Sequence, residues 1–317
     1  MHAAVVRSFD ELPQYGTFEP PVATGDHEVV VDVLAVGLHP RVRSGADGTH
    51  YTSEGTLPMI PGVDGVGRAP GGELLYFVAS DEAPGTMADR ALVDRRRSIE
   101  LPAGTDPVAI AAAMNPGMSS WVALRRRVGF QPGGSVLVLG ATGNAGQLAV
   151  QVARHLGAAR VVGAGRDAAR LALVEQLGAD EVVNLGDSDA DEQLGRAAGD
   201  VDVVVDYLWG APTERAMTAV LTARSDRSRA LDWVQIGSMA GREITFPSYL
   251  LRAANLRVMG SGQGSVTAAG IVAELPGLAA LVGSGELAVD ALPVPLADVE
   301  SAWTMTTRPG QRVVLVP

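Results

Sequence analysis

The middle of the chain alternates short apolar runs with segments of helical periodicity. Apolar runs that predict strands occur at 135–139, 160–164, 181–184, 201–206, 232–237 and 256–260. Between the earlier runs, apolar residues three or four apart share one helical face: Leu148, Val152 and Leu156, then Leu171, Val174 and Leu177. Such alternation predicts an α/β fold, with a doubly wound parallel sheet covered by helices on both faces.

The two ends of the chain carry a different pattern. Residues 28–36 are β-branched and apolar and end at Gly37, while residues 55–72 are dense in glycine and proline. Both features are typical of a β-rich domain with many loops. Strand signals return at 292–294 and 312–316. We therefore expect the N- and C-terminal pieces to form one domain, into which the α/β domain is inserted.

Composition narrows the range of partners more than the fold. The 317 residues are 47% hydrophobic and 19% charged, which is enough apolar material for packed cores in two domains. The net charge of −11 argues against nucleic acid or an anionic membrane as the main partner. The chain has no cysteine, which excludes disulfides, iron–sulfur clusters and thiolate-bound zinc.

The sequence carries no recognisable targeting signal. The N-terminus lacks a basic stretch followed by a long apolar run, so no signal peptide is predicted. Apolar runs are interrupted well before the ~20 residues that a membrane span needs. We therefore expect a cytoplasmic protein.

The most specific motif follows the first predicted strand, where three glycines are spaced three apart. Gly140 would form the tight turn, Gly143 would allow a pyrophosphate to approach, and Gly146 would let the helix pack against the strand. The helix N-terminus would then direct backbone N–H groups at the phosphates. The alternative is a glycine-rich turn that binds nothing. We predict cofactor contacts from the whole loop: Gly140, Ala141, Thr142, Gly143, Asn144, Ala145 and Gly146.

The end of the second predicted strand indicates which dinucleotide is bound. Sites for NAD place an acidic residue about 20 residues beyond the loop, where it bonds the ribose 2′-hydroxyl. Here Gly165 takes that place and Arg166 follows, and a guanidinium is the group that binds a 2′-phosphate. Asp167 could bind the ribose or cap the next helix, and we favour the cap. Arg170 could assist Arg166 or simply be solvated. NADPH is the predicted cofactor.

Several motifs together resemble one protein family over nearly the whole chain. They are Gly37-Leu38-His39-Pro40, the Ile-Pro-Gly-Val-Asp-Gly-Val-Gly run at 60–67, the glycine loop, the Leu-Gly-Ala-Asp run at 177–180 and the strand at 202–206. In these motifs the chain resembles the zinc-independent quinone oxidoreductase-like branch of the medium-chain dehydrogenase/reductase superfamily.

The resemblance implies a Rossmann domain inserted into a GroES-like β-rich substrate domain. The Rossmann domain would cover residues 118–262, and the substrate domain would combine 1–117 with 263–317. An active site in the cleft between the domains is implied as well. A homodimer through the last Rossmann strand, 256–260, is the family's usual assembly.

The chain departs from the zinc-containing members of this family. Those members carry a catalytic cysteine and a Gly-His-Glu segment, but this chain has no cysteine and has Gly62-Val63-Asp64 at the second place. We therefore predict no metal site. Without a metal to polarise a simple carbonyl, hydride transfer suits small-molecule acceptors that delocalise the incoming charge, namely quinones and α,β-unsaturated carbonyls. Two alternatives stay open: a reductase of a biosynthetic enoyl thioester or imine, and a non-catalytic NADPH-binding protein.

Two side chains are candidates for donating a proton or a hydrogen bond to the acceptor. Tyr51 matches a family tyrosine near the substrate cleft, and a phenol with a pKa near ~10 donates readily to an enolate-like oxygen. It could equally be a packing residue. His39 replaces an asparagine common in the family, and could donate a hydrogen bond or relay a proton, or be structural beside Pro40. Asp64 is interpreted as a turn residue.

The resemblance also carries over cofactor contacts outside the glycine loop. Ser119 keeps the hydroxyl of a family Thr-Ala-Tyr segment beside the nicotinamide, although Trp121 replaces its aromatic residue. The ends of the fifth and sixth predicted strands should approach the nicotinamide ribose and carboxamide. These further predicted contacts are Ile236, Gly237, Ser238, Ser261 and Gln263. Three aromatic residues are interpreted as core or cleft wall: Tyr207, Trp209 and Trp233.

Overall fold

The protein divides into two compact units. The structure is a computed structural model that describes residues 1–50, 56–80, 83–308 and 310–317. The first unit combines Met1–Asn115 with Ala268–Pro317, and the second comprises Pro116–Thr267. Among these described residues, no helix has the length and apolarity that crossing a bilayer requires.

Strands and helices are short and numerous in both units. The described strands, in chain order, are β1 His2–Val5, β2 Gln14–Thr17, β3 Glu28–Gly37, β4 Asp64–Arg68, β5 Leu74–Val78, β6 Arg90–Asp94, β7 Ser98–Glu100, β8 Ser135–Leu139, β9 Arg160–Gly165, β10 Glu181–Asn184, β11 Val203–Asp206, β12 Leu231–Gln235, β13 Leu256–Gly260, β14 Asp290–Pro295 and β15 Gln311–Val316. The α-helices are α1 Pro40–Ala46, α2 Pro107–Val122, α3 Asn144–His155, α4 Ala168–Gln176, α5 Ala190–Ala198, α6 Gly210–Ala223, α7 Ser248–Ala253, α8 Ala268–Val272, α9 Leu275–Ser284 and α10 Val299–Thr304. A π-helix, Ala123–Arg127, continues α2.

The long strand β3 organises the sheet of the first unit. It pairs antiparallel with β4 and β6, and its last residues pair with β15 from the other end of the chain. The sheet order is β14-β15-β3-β4-β5-β7, while β1 and β2 pair separately. Residues near both ends of the chain therefore share one sheet, and the apolar core of this unit includes Val31, Phe77 and Leu315.

The second unit contains a parallel sheet in the order β10-β9-β8-β11-β12-β13. The chain starts at β8 in the centre, moves outward to β10, and then returns to continue from β11 to β13 on the other side. This order confirms the predicted α/β class with a doubly wound parallel sheet. It also puts the reversal of strand order between β8 and β11. The connections that follow these two strands lead to opposite sides of the sheet, and ligands bind at this point in folds of this kind.

The fifth strand of this sheet ends two residues before its predicted end at 237. The N–H groups of Ile236 and Gly237 both bond the carbonyl of Asp206, at 2.8 and 3.1 Å. Two successive donors on one acceptor cannot continue a regular ladder, so β12 stops at Gln235.

The buried carboxylate of Asp206 fixes the end of β11. Its Oδ1 accepts from the backbone N–H groups of Leu208 and Trp209, at 2.8 and 3.1 Å. Its Oδ2 accepts from the Thr213 hydroxyl at 2.8 Å and from the Trp233 indole N–H at 2.9 Å. Asp206 and Trp233 are both fully buried. One side chain therefore ties the strand end, the following turn, helix α6 and strand β12 together.

We expect Asp206→Asn to lower the free energy of unfolding by about 3–5 kcal/mol. An amide accepts on one side only and directs its own N–H₂ donors at two of the existing donors, which leaves buried groups unpaired. Urea denaturation followed by tryptophan fluorescence measures the loss. The control is Asp226→Asn, which alters an exposed carboxylate that accepts from Ser228 and should cost less than about 1 kcal/mol. Equal losses in the two variants would contradict the role assigned to Asp206.

Candidate functional site

The glycine loop leaves β8 through a conformation that only glycine adopts easily. Gly140 has a φ of +86°, and its N–H bonds the carbonyl of Ala164 at 2.9 Å. The N–H of Gly143 bonds the carbonyl of Gly140 at 3.0 Å and closes the turn. Helix α3 begins at Asn144, directly after Gly143, which has no side chain to cap it. The first turn of α3 therefore directs its N–H groups into the loop, as in helix N-termini that bind phosphate.

The other two loop glycines differ in the space around them. A methyl group added to Gly146 would lie 2.6 Å from the Cα of Ala141, so only glycine allows α3 to approach β8 this closely. A methyl group added to Gly143 would meet only the Gly140 oxygen, at 3.5 Å. The side of the loop at Gly143 is therefore open enough for a bulky anion to approach the backbone.

The end of β9 excludes an acidic side chain at Gly165 and is followed by the exposed guanidinium of Arg166. A Cβ at Gly165 would lie 2.8 Å from Thr142 Oγ1, so a carboxylate cannot be accommodated there without moving the glycine loop. Arg166 is exposed and makes no hydrogen bond or ion pair with any residue that the structure describes. The lack of room for a carboxylate at Gly165 and the exposed guanidinium of Arg166 both fit a dinucleotide with a phosphate on its ribose.

Asp167 caps the following helix, as the sequence predicted. Its side chain accepts from the backbone N–H of Arg170 at 3.1 Å, at the start of α4. The Arg170 guanidinium Nε lies 3.5 Å from Asp167 Oδ2. Asp167 is thus occupied by its own helix and by Arg170, and not by Arg166.

Other predicted contacts follow the ends of parallel strands at the same edge of the sheet. Ile236, Gly237 and Ser238 come after β12, and a Cβ at Gly237 would lie 2.8 Å from the Tyr207 carbonyl oxygen. Ser261 and Gln263 come after β13, and the Ser261 N–H bonds the carbonyl of Gln235. Because all strands of this sheet are parallel, these segments share one edge with the glycine loop.

A hydrogen bond connects Ser119 to this edge through Tyr207, a residue that the sequence analysis did not predict as a cofactor contact. Its Oγ lies 2.8 Å from the hydroxyl of Tyr207, the first residue after β11, and donates to the Pro116 carbonyl at 2.6 Å. Tyr207 is buried, in agreement with its interpretation as core or cleft wall. Burial raises the pKa of the Tyr207 phenol to about 12. The signal that could have found Tyr207 is its place immediately after the strand at the reversal point.

The first unit contains a separate buried polar network around Asp64. His39 Nε2 donates to Asp64 Oδ1 at 3.1 Å, and the Tyr76 hydroxyl donates to Asp64 Oδ2 at 2.9 Å. All three side chains are buried. The prediction that Asp64 is a turn residue is wrong, because Asp64 begins β4 and pairs in register with Val78. The carboxylate needs the strand position to reach both donors inside the core.

The protonation of His39 follows from this burial. Burial holds the pKa of His39 below its usual range, and the hydrogen bond and the charge of Asp64 oppose the shift without reversing it. Arg312 is also buried, and burial lowers the pKa of its guanidinium to about 10. The attraction between this positive charge and the Asp64 carboxylate opposes the lowering. With that cation present, a neutral imidazole leaves the network without excess charge. The other predicted candidate, Tyr51, lies outside the described residues.

We expect the stability of the protein to fall with pH below about 6.5, the ordinary pKa of histidine, because folded His39 resists protonation and unfolded His39 does not. The loss continues until the lowered pKa of the folded state is reached, with a slope of at most about 1.4 kcal/mol per pH unit. His39→Asn should flatten this dependence, since an amide keeps a donor but does not titrate. Denaturation at pH 7.5, 6.5 and 5.5 measures it.

The matched control for His39 is His27→Asn, which changes an exposed histidine. It should keep the slope of the unchanged protein. A His39→Asn variant with that same slope would contradict the buried neutral state of His39.

Comparison with known proteins relates both units to one group of enzymes. A protein-family model described as zinc-binding dehydrogenase matches residues 145–282. The chain is 33% identical to an Emericella nidulans protein named a probable NADPH-dependent quinone reductase, with 100% of each chain covered. It is 31% identical to the quinone oxidoreductase of Homo sapiens over 196 residues, which is 58% of each chain.

A solved structure of similar fold covers both units. The quinone oxidoreductase of Thermus thermophilus, which has been crystallised alone and with NADPH, matches with a TM-score of 0.83 at 27% identity. The alignment covers 100% of each chain.

Proposed function

The chain belongs to the zinc-independent quinone oxidoreductase-like branch of the medium-chain dehydrogenase/reductase superfamily, and on that premise we propose that it reduces quinones or α,β-unsaturated carbonyls with NADPH. The names of its relatives support both the acceptor class and the cofactor. The observation that carries the proposal is the open glycine loop followed, at the end of β9, by Arg166, which has no hydrogen bond or ion pair with any described residue.

The residues of this loop fit the phosphates of NADPH. Glycines 140, 143 and 146 and the first turn of α3 would hold the pyrophosphate, and Arg166 would hold the 2′-phosphate. Gly165 adds no carboxylate that could repel a phosphate. When bound, NADPH supplies a hydride. The protein's own work is to bind the phosphates and to hold the nicotinamide in one orientation.

The acceptor class follows from the ligands that the chain lacks. No cysteine is present for a catalytic zinc, and no cluster of three or more His, Asp or Glu suited to a metal occurs in the described ranges. An acceptor that spreads the incoming charge over its own conjugated system needs only hydrogen-bond donors and a proton. Tyr51 is our proposed donor. The burial of His39 and its hydrogen bond to Asp64 favour a structural role for this histidine over a catalytic one.

We expect steady oxidation of NADPH by 9,10-phenanthrenequinone and by simple enones, followed by the loss of absorbance at the nicotinamide band. Enoyl thioesters and cyclic imines in the same panel test the alternative of a biosynthetic reductase. Turnover confined to thioesters or imines would replace the proposed acceptor class. Tight NADPH binding without turnover of any acceptor would leave the non-catalytic alternative.

We expect Arg166→Ala to weaken NADPH binding by about 10- to 100-fold, because a charge-assisted contact with the 2′-phosphate is lost. Binding of NADH, which lacks that phosphate, should change by less than about threefold. Isothermal titration of the two cofactors provides both dissociation constants. The control is Arg215→Ala, an exposed arginine of α6 paired with Asp191, which should change neither constant. Unchanged NADPH affinity in Arg166→Ala would refute the assignment of Arg166.

A homodimer through β13 and a cytoplasmic location stay predictions. The dimer is supported by the place of β13 at the end of its sheet and by the exposure of Val258 on it. An unpaired edge of this kind can continue the sheet into a second copy of the chain.

A further inference from the structure

A chain of three oxygen atoms links the carboxyl edge of the parallel sheet to α2. The Tyr207 hydroxyl lies 2.8 Å from Ser119 Oγ, and Ser119 Oγ lies 2.6 Å from the Pro116 carbonyl oxygen. A carbonyl can only accept, so the single proton of the Ser119 hydroxyl is committed to Pro116. On that ground we assign the donor role in this bond to Tyr207. The Tyr207 hydroxyl also has Ser120 as a partner, and the Ser120 proton is likewise given to a backbone carbonyl, that of Gly117 at 3.2 Å. A phenol with an ordinary pKa of about 10 is protonated at neutral pH and able to donate, and burial raises the pKa of Tyr207 further in the same direction.

The backbone of Tyr207 lies close to two glycines, Gly140 and Gly237, which limit its position on two sides. A Cβ at Gly140 would lie 3.2 Å from the Tyr207 Cβ, and a Cβ at Gly237 would lie 3.2 Å from its Cα. The preceding residue, Asp206, is tied down by four hydrogen bonds. The tyrosine therefore stands between the glycine loop and the segment after β12, with little freedom at its base.

The direction of the protons decides what Ser119 can offer a ligand. With its proton given to Pro116 and one lone pair taken by Tyr207, Ser119 Oγ keeps one lone pair. Ser119 is only half-buried, whereas Tyr207 is 8% exposed. Ser119 thus presents an oriented acceptor, which suits the N–H₂ of a carboxamide or a ribose hydroxyl.

We propose that Tyr207 is a positioning residue for the nicotinamide half of the cofactor, and that it acts by donating to Ser119 and so orienting the Ser119 oxygen as an acceptor. This inference rests on the proposed function, because it assigns the ligand of Ser119 to NADPH. It distinguishes the two halves of the cofactor: Arg166 would hold the adenosine half, and the pair of Tyr207 and Ser119 would hold the other.

The test compares Tyr207→Phe with the unchanged protein for two ligands, NADPH and 2′,5′-ADP, which lacks the nicotinamide half. Loss of one neutral hydrogen bond should raise the dissociation constant of NADPH by about 3- to 10-fold. The constant for 2′,5′-ADP should stay within about twofold. General disruption of the adjacent glycine loop would weaken both ligands, so equal losses would overturn the inference.

A double-mutant cycle tests whether Tyr207 acts through Ser119. Ser119→Ala should weaken NADPH at least as much as Tyr207→Phe, and the combined variant should be no weaker than Ser119→Ala alone. Ser119→Thr keeps the hydroxyl and should recover most of the affinity lost in Ser119→Ala. Additive losses would contradict the proposed route. Where Tyr207→Phe fails to fold, Ser119→Ala still exposes the inference to refutation: its NADPH affinity must fall while that for 2′,5′-ADP does not, and unchanged NADPH affinity would overturn the proposed route.

The control for a purely structural effect is Tyr76→Phe, which removes the hydroxyl of another buried tyrosine, in the first unit. It should lower the thermal midpoint and leave NADPH affinity unchanged. If the wild-type protein binds no NADPH, both the proposed function and this inference are refuted. If the wild-type protein binds NADPH and the Tyr207→Phe and Ser119→Ala variants bind it equally well, the inference is refuted and the proposed function is not.

Discussion

The second unit depends on one buried carboxylate. Asp206 ends the central strand β11 and accepts hydrogen bonds from two backbone N–H groups, a hydroxyl and an indole. The turn that follows is unusual, since Trp209 has a φ of +53° and Gly210 a φ of +64°. A non-glycine residue in this region is strained, and it persists where neighbouring contacts determine its conformation. The bonds to Asp206 do so here, and they also set the position of Tyr207 beside Ser119.

An acidic protein can hold an anionic cofactor because only local charges matter at this edge. The net charge is −11, but the acidic residue nearest to Arg166 in sequence, Asp167, is engaged with the N-terminus of α4 and with Arg170. Its helix cap therefore keeps Asp167 from pairing with Arg166, whose guanidinium makes no hydrogen bond or ion pair within the described part of the chain. At ordinary ionic strength, screening over about 10 Å removes most of the repulsion from distant carboxylates.

The fold could be predicted because its signals are local, whereas the polar networks could not. Each strand of the parallel sheet and the cap at Asp167 follow from residues a few positions apart. By contrast, His39 and Asp64 are 25 residues apart, and Ser119 and Tyr207 are 88 apart. Asp64 lies between two glycines in a segment rich in turn residues, so its local pattern indicated a turn. Nothing in that pattern reveals that Tyr76 and His39 converge on it. The cofactor contacts could be predicted from local signals, because they follow the ends of strands.

The buried carboxylates of Asp64 and Asp206 differ in what surrounds them, and this separates the pH dependence of stability from cofactor binding. The donors to Asp206 are backbone N–H groups, a hydroxyl and an indole, none of which titrates near neutral pH. One donor to Asp64 is an imidazole, whose pKa burial lowers from a value close to neutrality. Mild acid therefore acts on the β-rich unit through His39, while the hydrogen bonds that support Tyr207 and Ser119 keep their protons. The sensitivity to pH and the orientation of the cofactor are thus assigned to different networks, in different units of the chain.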